Sequence, residues 1–505
     1  MLRRRLAGLL ARNRHLEAQL KKEGALRARA EQRVVELERE LQGARASRPT
    51  ASNSSLPPSA NPIGAKPPVI KKPTGRRPGG QVGHQGKSRT LLPVEQVDHV
   101  VRHRPVVCAG CQQAIAPDAA GEVVGRHQVA ELPPRAVEVT EHQALACRCG
   151  RCGHVSRGLI PDDVRASVTG PRLSAAIGLL GASMKGSRRA IAQVLREVLG
   201  CPTFALGSVS ARERELCRAL AGPHEALVAA AARAKVKYVD ETGWKLRGKN
   251  RWLFVSADRE QVVFHVDKAR TRPAFAALYG GDVGRGGRPR GVFCTDRAGI
   301  YDVLSIKSRQ LCWAHLGRDF VAAVERGGAG AAAATEMLGV YHDLFEHWHR
   351  FTGRAIGRSG LRAAIEPLRS RMRLALEEGA ACGQKKTAGL CRALLKREAG
   401  LWRFAATPGL GPTNNLAERM LRPAVIWRKK SFGSASLTGC RYGERMLSVT
   451  ETLRLRGHPT LAYLADAVAA HRRGEPAPAI APKPKPKPKP KPKPKPVEAK
   501  LRKVA

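Results

Sequence analysis

The sequence predicts a multidomain α+β protein of 505 residues. Three observations predict this class. A heptad pattern covers the amino terminus, and a segment rich in Ser, Pro and Gly separates it from two cysteine pairs. The rest of the chain alternates between runs typical of strands and runs with helical periodicity. A chain of this length commonly forms several domains.

Basic residues far outnumber acidic ones. The sequence has 89 Lys and Arg against 42 Asp and Glu, a formal net charge of +47, and 43% of its residues are hydrophobic. The charge predicts a polyanionic partner such as DNA and argues against an ordinary metabolic enzyme. The hydrophobic fraction excludes a wholly disordered chain. A genomic bias toward Arg, Ala, Gly and Pro is an alternative source of the charge.

Cysteine usage and hydropathy indicate the compartment. The 12 cysteines of this long chain predict reduced thiols or metal sites rather than a disulfide framework. The apolar run at residues 6–11 is too short for a signal peptide, and no stretch of about 20 apolar residues predicts a membrane span. We expect a cytoplasmic protein, or a nuclear one in a eukaryote, with no membrane partner.

Residues 1–46 predict a coiled coil that joins copies of the chain into a homo-oligomer. Ten of the twelve a and d positions suit a dimer, with Asn13 as the polar residue that fixes register. Gly24 lies beside the two unsuitable positions, so a solvated single helix remains an alternative. The a positions are Leu6, Asn13, Leu20, Arg27, Val34 and Leu41; the d positions are Leu2, Leu9, Leu16, Glu23, Ala30 and Leu37.

Two Cys-x-x-Cys pairs predict a zinc ribbon over residues 91–165, after a basic linker at 47–90. Cys108 and Cys111, with Cys149 and Cys152, supply four thiolates for a tetrahedral Zn²⁺. Cys147 and His154 crowd the second pair and could replace one of its members. A reduced cysteine cluster without metal is the alternative.

A helical domain is predicted over residues 166–228, with helices at 170–186, 187–200 and 208–227. The second and third helices are consistent with a helix-turn-helix. A plain helical core is the alternative. The residues expected to enter a DNA groove are Ser208, Ser210, Arg212 and Arg214.

The next part of the chain alternates between strands and helices. Three strands, a helix, a strand, a short helix and a strand fit a mixed α/β domain of ribonuclease-H type over residues 229–326. Helices fill 327–405 and continue through 406–474, and a tail at 475–505 contains a strict Pro-Lys alternation typical of an extended arm. The predicted strands cover 235–240, 251–258, 261–267, 291–296 and 309–313.

Three acids form a candidate metal site. Asp240 and Asp296 end predicted strands, where a sheet presents side chains to a shared cleft, and Glu418 lies near the start of a predicted helix. Three converging carboxylates suit hard divalent ions such as Mg²⁺. Asp240 and Asp296 could instead cap turns, Glu418 could belong to a capping box, and Glu241 competes with Asp240.

Two further groups accompany the acids. Cys312 and His315 lie where a strand meets a helix; packing or DNA positioning is the favoured interpretation, with metal binding as an alternative. A basic cluster beside Glu418 is expected to contact DNA phosphates, although such clusters are often only a solvated surface. Its members are Arg419, Arg422, Arg428, Lys429 and Lys430.

Several spaced motifs resemble transposases of bacterial insertion-sequence family sixty-six, over about residues 1–470. The upstream order of coil, polar segment, glycine-rich box and cysteine pairs is also similar to that family. Cys147, Leu56 and the Pro-Lys tail depart from its pattern. The motifs are Asp240-Glu241-Thr242-Gly243-Trp244 with Arg251-Trp252, Thr295-Asp296 through Tyr301, Leu311-Cys312-Trp313-Ala314-His315-Leu316 with Arg318-Asp319-Phe320, and Asn414-Asn415-Leu416-Ala417-Glu418-Arg419 with Arg428-Lys429; upstream they are Asn53-Ser54-Ser55, Pro57-Pro58-Ser59, Pro78-Gly79-Gly80-Gln81 and Gly83-His84.

The resemblance implies a DDE-type DNA transposase associated with the bacterial nucleoid. Asp240, Asp296 and Glu418 would then bind Mg²⁺ or Mn²⁺ on a ribonuclease-H-like catalytic domain with a helical insertion. The implied reaction is two-metal-ion cleavage at the 3′ ends of an insertion sequence, followed by strand transfer into target DNA. The implied partners are element ends, target DNA and accessory proteins of the same element. A catalytically inactive DNA-binding regulator and a nuclease without strand transfer are the alternatives.

Overall fold

The computed structural model describes residues 91–482, apart from 134–135, 153, 166, 202–203 and 280–289, together with residues 8, 13, 16, 17 and 19–34. The linker predicted at 47–90 and the Pro-Lys alternation lie outside the described residues. So do the coil positions Leu2, Leu6, Leu9, Leu37 and Leu41. The structure contains a mixture of helices and two sheets.

The described amino-terminal residues are helical and exposed. Arg27 and Glu31 form an ion pair of 3.2 Å one helical turn apart. The heptad residues Leu16, Leu20 and Val34 are 47%, 67% and 54% exposed. This segment is therefore a helix whose apolar side chains are uncovered.

The chain divides into two compact units. The smaller comprises residues 68–141 and 193–203, and the larger contains the rest. In the smaller unit a single 3₁₀ turn covers Val94–Gln96, and a β-bridge joins Val107 to Ala114. In the larger unit the first sheet is a short antiparallel hairpin, β1 (Ala146–Arg148) and β2 (Val155–Arg157).

In the described residues from 91 onward, five α-helices precede the main sheet. The single helix predicted at 208–227 is wrong, because two helices occupy the region and meet at Leu220. Pro223 lies near the start of the second, where its missing N–H costs nothing, whereas inside one continuous helix it would break the ladder. The helices are α1 (Asp162–Arg165), α2 (Pro171–Ala182), α3 (Arg188–Glu197), α4 (Leu206–Ala219) and α5 (Ala221–Arg233).

The main sheet has five strands in the order β5-β4-β3-β6-β7. The first three strands in sequence are antiparallel neighbours, and β6 and β7 add in parallel to β3. Arg247 and Gly248 both have positive φ, as a two-residue turn between β3 and β4 requires. The strands are β3 (Val236–Leu246), β4 (Lys249–Ala257), β5 (Val262–Asp267), β6 (Val292–Thr295) and β7 (Arg309–Leu311), with helix α6 (Arg272–Ala277) between β5 and β6.

Helices cover both faces of this sheet. Buried residues of one face join the long helices that follow β7, and those of the other face join α2, α4, α5 and the last two helices. Helices α2, α4 and α5, in the region predicted to be helical at 166–228, therefore share a core with the sheet. The remaining helices are α7 (Trp313–Arg326), α8 (Ala331–Thr352), α9 (Arg358–Ala381), α10 (Lys385–Leu395), α11 (Arg403–Ala406), α12 (Asn415–Ser431), α13 (Leu437–Arg456) and α14 (Thr460–Arg472).

Helix α13 closes the outer edge of β5 with side-chain hydrogen bonds. Amides of alternate β5 residues donate to acceptors spaced four residues apart on the helix. Four helical residues rise about 6 Å and two strand residues about 6.6 Å, so the two repeats stay in register. The bonds are Val262 N to Thr452 Oγ1 (3.0 Å), Phe264 N to Ser448 Oγ (2.9 Å) and Val266 N to Glu444 Oε1 (2.5 Å).

Helix α12, with Asn414 before it and the segment to Ser434 after it, lies along the part of β3 that extends past β6. The pairing of β3 with β6 ends at Tyr238, and three carbonyls farther along β3 accept hydrogen bonds from this segment. These bonds fix both ends of the helix against the strand. They run from Asn414 Nδ2 to Val239 O (2.7 Å), from Arg428 Nη1 to Gly243 O, and from Ser434 N to Lys245 O (2.8 Å).

The chain beyond α14 folds back onto the larger unit. Arg456 donates to the carbonyl of Ile480 at 2.7 Å, Tyr463 donates to that of Pro478 at 2.8 Å, and Ala477 and Ile480 pack against the core. The tail predicted from residue 475 is thus docked as far as residue 482. No helix in the described part of the chain combines the length and apolarity needed to cross a bilayer.

Gly433 allows the close approach of α12 to β3. Its φ is +101°, and a Cβ there would overlap the carbonyl oxygen of Lys245. We predict that Gly433→Ala lowers the free energy of unfolding by about 2–5 kcal/mol, because left-handed strain adds to overpacking. Gly457 has φ +73° and open space around it, so Gly457→Ala should cost only about 1–2 kcal/mol. Equal losses of unfolding free energy in the two variants, measured by urea titration, would contradict the close contact between Gly433 and Lys245.

Candidate active site

Asp240 lies inside β3 rather than at its end, which corrects the strand predicted at 235–240. The antiparallel hairpin with β4 carries β3 on to Leu246, whereas its parallel pairing with β6 ends at Tyr238. Asp240 is therefore just beyond the last residue paired with β6. Asp296 directly follows the carboxyl end of β6, as expected. The sheet brings these two acids to one place where β3 continues and β6 stops.

Asp240 and Glu241 project from opposite faces of β3, because successive side chains of a strand alternate. Glu241 accepts a hydrogen bond of 2.7 Å from Arg270 Nε and another from the hydroxyl of Tyr301. Burial and the charge of Asp296 raise the pKa of Glu241 despite these donors. Glu241 is thus committed to an ion pair on one face, and Asp240 is the acid on the other.

Backbone contacts hold the Asp296 segment. Asp296 Oδ1 accepts the Ala298 N–H at 2.8 Å, so its predicted role in capping a turn is present. Arg309, only 1% exposed, donates to the Asp296 carbonyl at 3.1 Å and to Asp302 at 2.8 Å. The guanidinium therefore fixes the loop that carries Asp296, a function that the sequence did not reveal.

Asn414 connects the segments that carry the site. It is fully buried, its side chain donates to Val239 O at 2.7 Å, and its backbone N–H donates to Cys312 Sγ at 3.1 Å. Asn414 is also the N-cap of α12, without a side-chain cap bond. The capping box predicted for Asn415 and Glu418 is therefore wrong, because the helix starts one residue too early for it. Glu418 lies on the first turn of a helix tied to β3.

The charges of the acids reach one another. Burial raises the pKa of Asp240 well above its usual range, and the charges of Glu241, Asp296 and Glu418 raise it further. These are the effects expected for a carboxyl group that is removed from water and surrounded by like charges. Asp240, Asp296 and Glu418, from β3, the end of β6 and α12, are thus near enough for their charges to act on Asp240, and we refer to them as the acid cluster.

Cys312 and His315 lie beside this cluster. His315 Nδ1 is 3.8 Å from Glu418 Oε1, and ligand atoms of Cys312, His315 and Glu418 all lie within 4.8 Å of one another. Burial raises the pKa of Cys312 to about 11, which keeps it a thiol. Burial and the charge of Arg318 lower the pKa of His315. Cys312 is thus a buried packing residue that also accepts the Asn414 amide, and it is unsuited to act as a nucleophile.

The basic cluster of α12 separates into two parts. At 100° per residue, Arg419, Arg422, Lys429 and Lys430 fall within about 100° of arc, and all four are exposed. Arg428 is half-buried and donates to the Gly243 carbonyl. Arg428 therefore helps to hold α12 on β3, and its contact with DNA stays a prediction.

The α4 residues predicted to enter a DNA groove also include one engaged within the protein, Arg212, and one exposed, Arg214. Arg212 donates to Thr169 at 3.1 Å and pairs with Glu215 at 3.2 Å. Leu216 and Cys217 of the same helix are buried in the core shared with the sheet. Arg212 is thus engaged inside the protein, whereas Arg214 is exposed. This packing favours the helical-core alternative for α4.

The two cysteine pairs each form a tight loop. Cys108 accepts the Gln112 amide on its carbonyl at 2.9 Å, and Cys149 donates its N–H to the His154 carbonyl at 2.8 Å. Backbone N–H groups of Cys111 and Gly110 lower the pKa of Cys108, and those of Cys152 and Arg151 lower that of Cys149. Such loops favour thiolates, which is what a metal ligand requires.

Comparison with known proteins identifies relatives of the part of the chain that holds this site. The model of the family described as "Transposase IS66 family" matches residues 191–442, which include all three acids. The chain is also similar to "Uncharacterized protein y4qI" of Sinorhizobium fredii (strain NBRC 101917 / NGR234), with 30% identity over 174 residues, 33% of this chain and 31% of that protein. The matched part thus spans about a third of that relative.

Proposed function

This chain belongs to the IS66 family of transposases, and we propose that it cuts DNA at the 3′ ends of an insertion sequence and joins them to target DNA. One arrangement supports the proposal: β3 carries Asp240 past the end of β6, Asp296 follows that end, and Asn414 ties the helix of Glu418, with its exposed basic face, to β3. A catalytically inactive regulator would have no need of this cluster. The sheet order also supports a ribonuclease-H-like catalytic domain.

The donor set fits hard divalent cations. Asp240, Asp296 and Glu418 offer only carboxylate oxygens, the ligands that Mg²⁺ and Mn²⁺ favour. Asp240 is buried among like charges without a paired cation, a strain that bound cations would relieve. When bound at such carboxylates, two divalent ions supply an activated oxygen nucleophile and stabilise the leaving oxygen of a phosphodiester.

The surrounding residues keep the acids in position. Arg270 and Tyr301 hold Glu241 on the opposite face of β3, so the proposed ligand from this strand is Asp240 alone. Asn414 ties the start of α12 to the carbonyl next to Asp240. Arg309 holds the Asp296 loop. Their proposed role is preorganisation, since small displacements of reacting groups are costly.

The exposed cations of α12 are the proposed phosphate contacts. Arg419, Arg422, Lys429 and Lys430 lie on the helix that carries Glu418, so DNA bound by them is held beside the acids. Contacts of this kind position the duplex without reading its sequence. Sequence recognition of the element ends would come from other parts of the chain.

The cysteine pairs are proposed to share one Zn²⁺. Cys108 and Cys111 in one tight loop, with Cys149 and Cys152 in another, provide four sulfur ligands, the set of a structural zinc site. We predict about one zinc per chain after purification without chelator, measured by elemental analysis. A value well below one would contradict the ribbon.

The amino-terminal helix is proposed to join two or more chains. Its uncovered Leu16, Leu20 and Val34 suit a partner helix. An oligomer would hold two DNA ends together and make the second binding step intramolecular. A single-chain mass in light scattering would contradict this. Accessory proteins of the same element and association with the nucleoid remain predictions.

We predict that Asp240→Asn, Asp296→Asn and Glu418→Gln each abolish cleavage and joining on labelled DNA carrying the sequences that flank the reading frame, with Mg²⁺ or Mn²⁺. Each change removes one negative oxygen ligand while keeping the side-chain size. Exposed Asp466 of α14 provides a control, and Asp466→Asn should keep wild-type activity. DNA binding without cleavage by the wild-type chain would favour the regulator, and nicks without joined products would favour a nuclease.

We predict that Arg422→Ala reduces the slope of log affinity against log salt concentration by about 1. The double change of Lys429→Ala and Lys430→Ala should reduce it by about 2. Each phosphate contact that is lost means about one fewer counterion released on binding. Fluorescence anisotropy with a DNA duplex would measure the slope. Lys386→Ala changes the same charge on exposed α10 and should leave it unchanged. A slope unaltered by the α12 variants would remove these residues from the interface.

A further inference from the structure

His315 lies close to Glu418, a member of the acid cluster. In the described part of the chain, Cys312, His315 and Glu418 form the one group of three potential ligands whose donor atoms all lie within 4.8 Å of one another. The three come from two helix starts that are bonded together: Trp313 N–H donates to the Pro412 carbonyl at 3.0 Å, and Asn414 N–H donates to Cys312 Sγ at 3.1 Å. The group is therefore held by rigid elements.

Two atoms of this group are buried without a hydrogen bond. His315 Nδ1 and Glu418 Oε1 both lack a partner in the structure. Their separation of 3.8 Å is too long for a direct hydrogen bond. A buried polar atom without a partner is destabilising, so two adjacent ones point to a further group between them.

The separation matches a shared cation. Bonds from a divalent ion to imidazole nitrogen and carboxylate oxygen are about 2.0–2.2 Å. Two such bonds span at most about 4.4 Å, so the separation of 3.8 Å allows one ion to reach both atoms. Cys312 Sγ already accepts the Asn414 amide on the buried side. The nitrogen and the carboxylate oxygen are thus the two donors left to face an ion.

We propose that His315, through Nδ1, is a direct ligand of the divalent ion held by Glu418, and that this nitrogen makes the site favour Mn²⁺ over Mg²⁺. The inference rests on the proposed function, to which it adds one ligand. Mg²⁺ prefers oxygen donors and retains its waters, whereas transition ions accept imidazole more readily. Asp296 and Asp319, whose charges also reach His315, provide the anionic surroundings of such a site.

Electron paramagnetic resonance of Mn²⁺ bound to the full-length chain tests the proposal. We expect pulsed spectra of the wild-type chain to contain ¹⁴N modulation from coordinated imidazole. The modulation should disappear in His315→Ala and in Glu418→Gln. It should persist in His349→Ala, which removes an exposed histidine of α8. The affinity for Mn²⁺, measured from the resonance signal of the free ion, should be at least about tenfold lower in His315→Ala. Loss of a residue that only hydrogen-bonds a ligand already lowers metal affinity about 10–100-fold.

A second variant separates ligation from folding. His315→Gln keeps the size of the side chain, and its thermal unfolding should match the wild type while the ¹⁴N modulation is lost. Modulation that survives in both variants, or a wild-type spectrum without it, would overturn the proposal. The cleavage assay on the same preparations distinguishes the two claims. Modulation without cleavage would overturn the proposed function alone, and cleavage without modulation would overturn the His315 ligand alone.

Discussion

Amides and carbonyls at a covered sheet edge need hydrogen-bond partners, and at two places in this protein helices and their flanking residues supply them. Helix α13 closes the edge of β5 with a glutamate, a serine and a threonine at four-residue spacing. The segment around α12 does the same for the part of β3 that β6 leaves unpaired. The bonds that complete the sheet therefore also determine where Glu418 lies, so the fold and the acid cluster depend on one constraint.

This arrangement places charge where water is scarce. Asp240 sits on the partly buried face of the central strand, and the two other acids approach from the end of β6 and the start of α12. Burial removes Asp240 from water, and the like charges around it act more strongly there than in water; together these effects account for the raised pKa of Asp240. A site that disfavours its own charges binds cations readily. The chemistry we propose for this family member depends on that property.

The metal-binding role of the three acids and the DNA contacts of the exposed basic residues stay predictions. The sequence predicted the succession of strands and helices that forms the main sheet, because alternation and composition are local signals. It did not predict that β3 continues past Asp240, since strand length depends on its pairing with β4. Arg212 and Arg428 were expected at DNA, yet burial and specific partners engage both within the protein. In the sequence, Asn414 is recognisable only as one residue of a motif. Its importance arises from contacts with β3 and Cys312, residues more than a hundred positions away.

In the mechanism we propose, β3, the end of β6 and α12 form one cation site. Anomalous diffraction from crystals of the chain soaked in Mn²⁺ would locate the ions independently of activity. We expect peaks within about 2.5 Å of carboxylate oxygens of Asp240, Asp296 and Glu418. Peaks elsewhere, with these three acids bound to no ion, would contradict it.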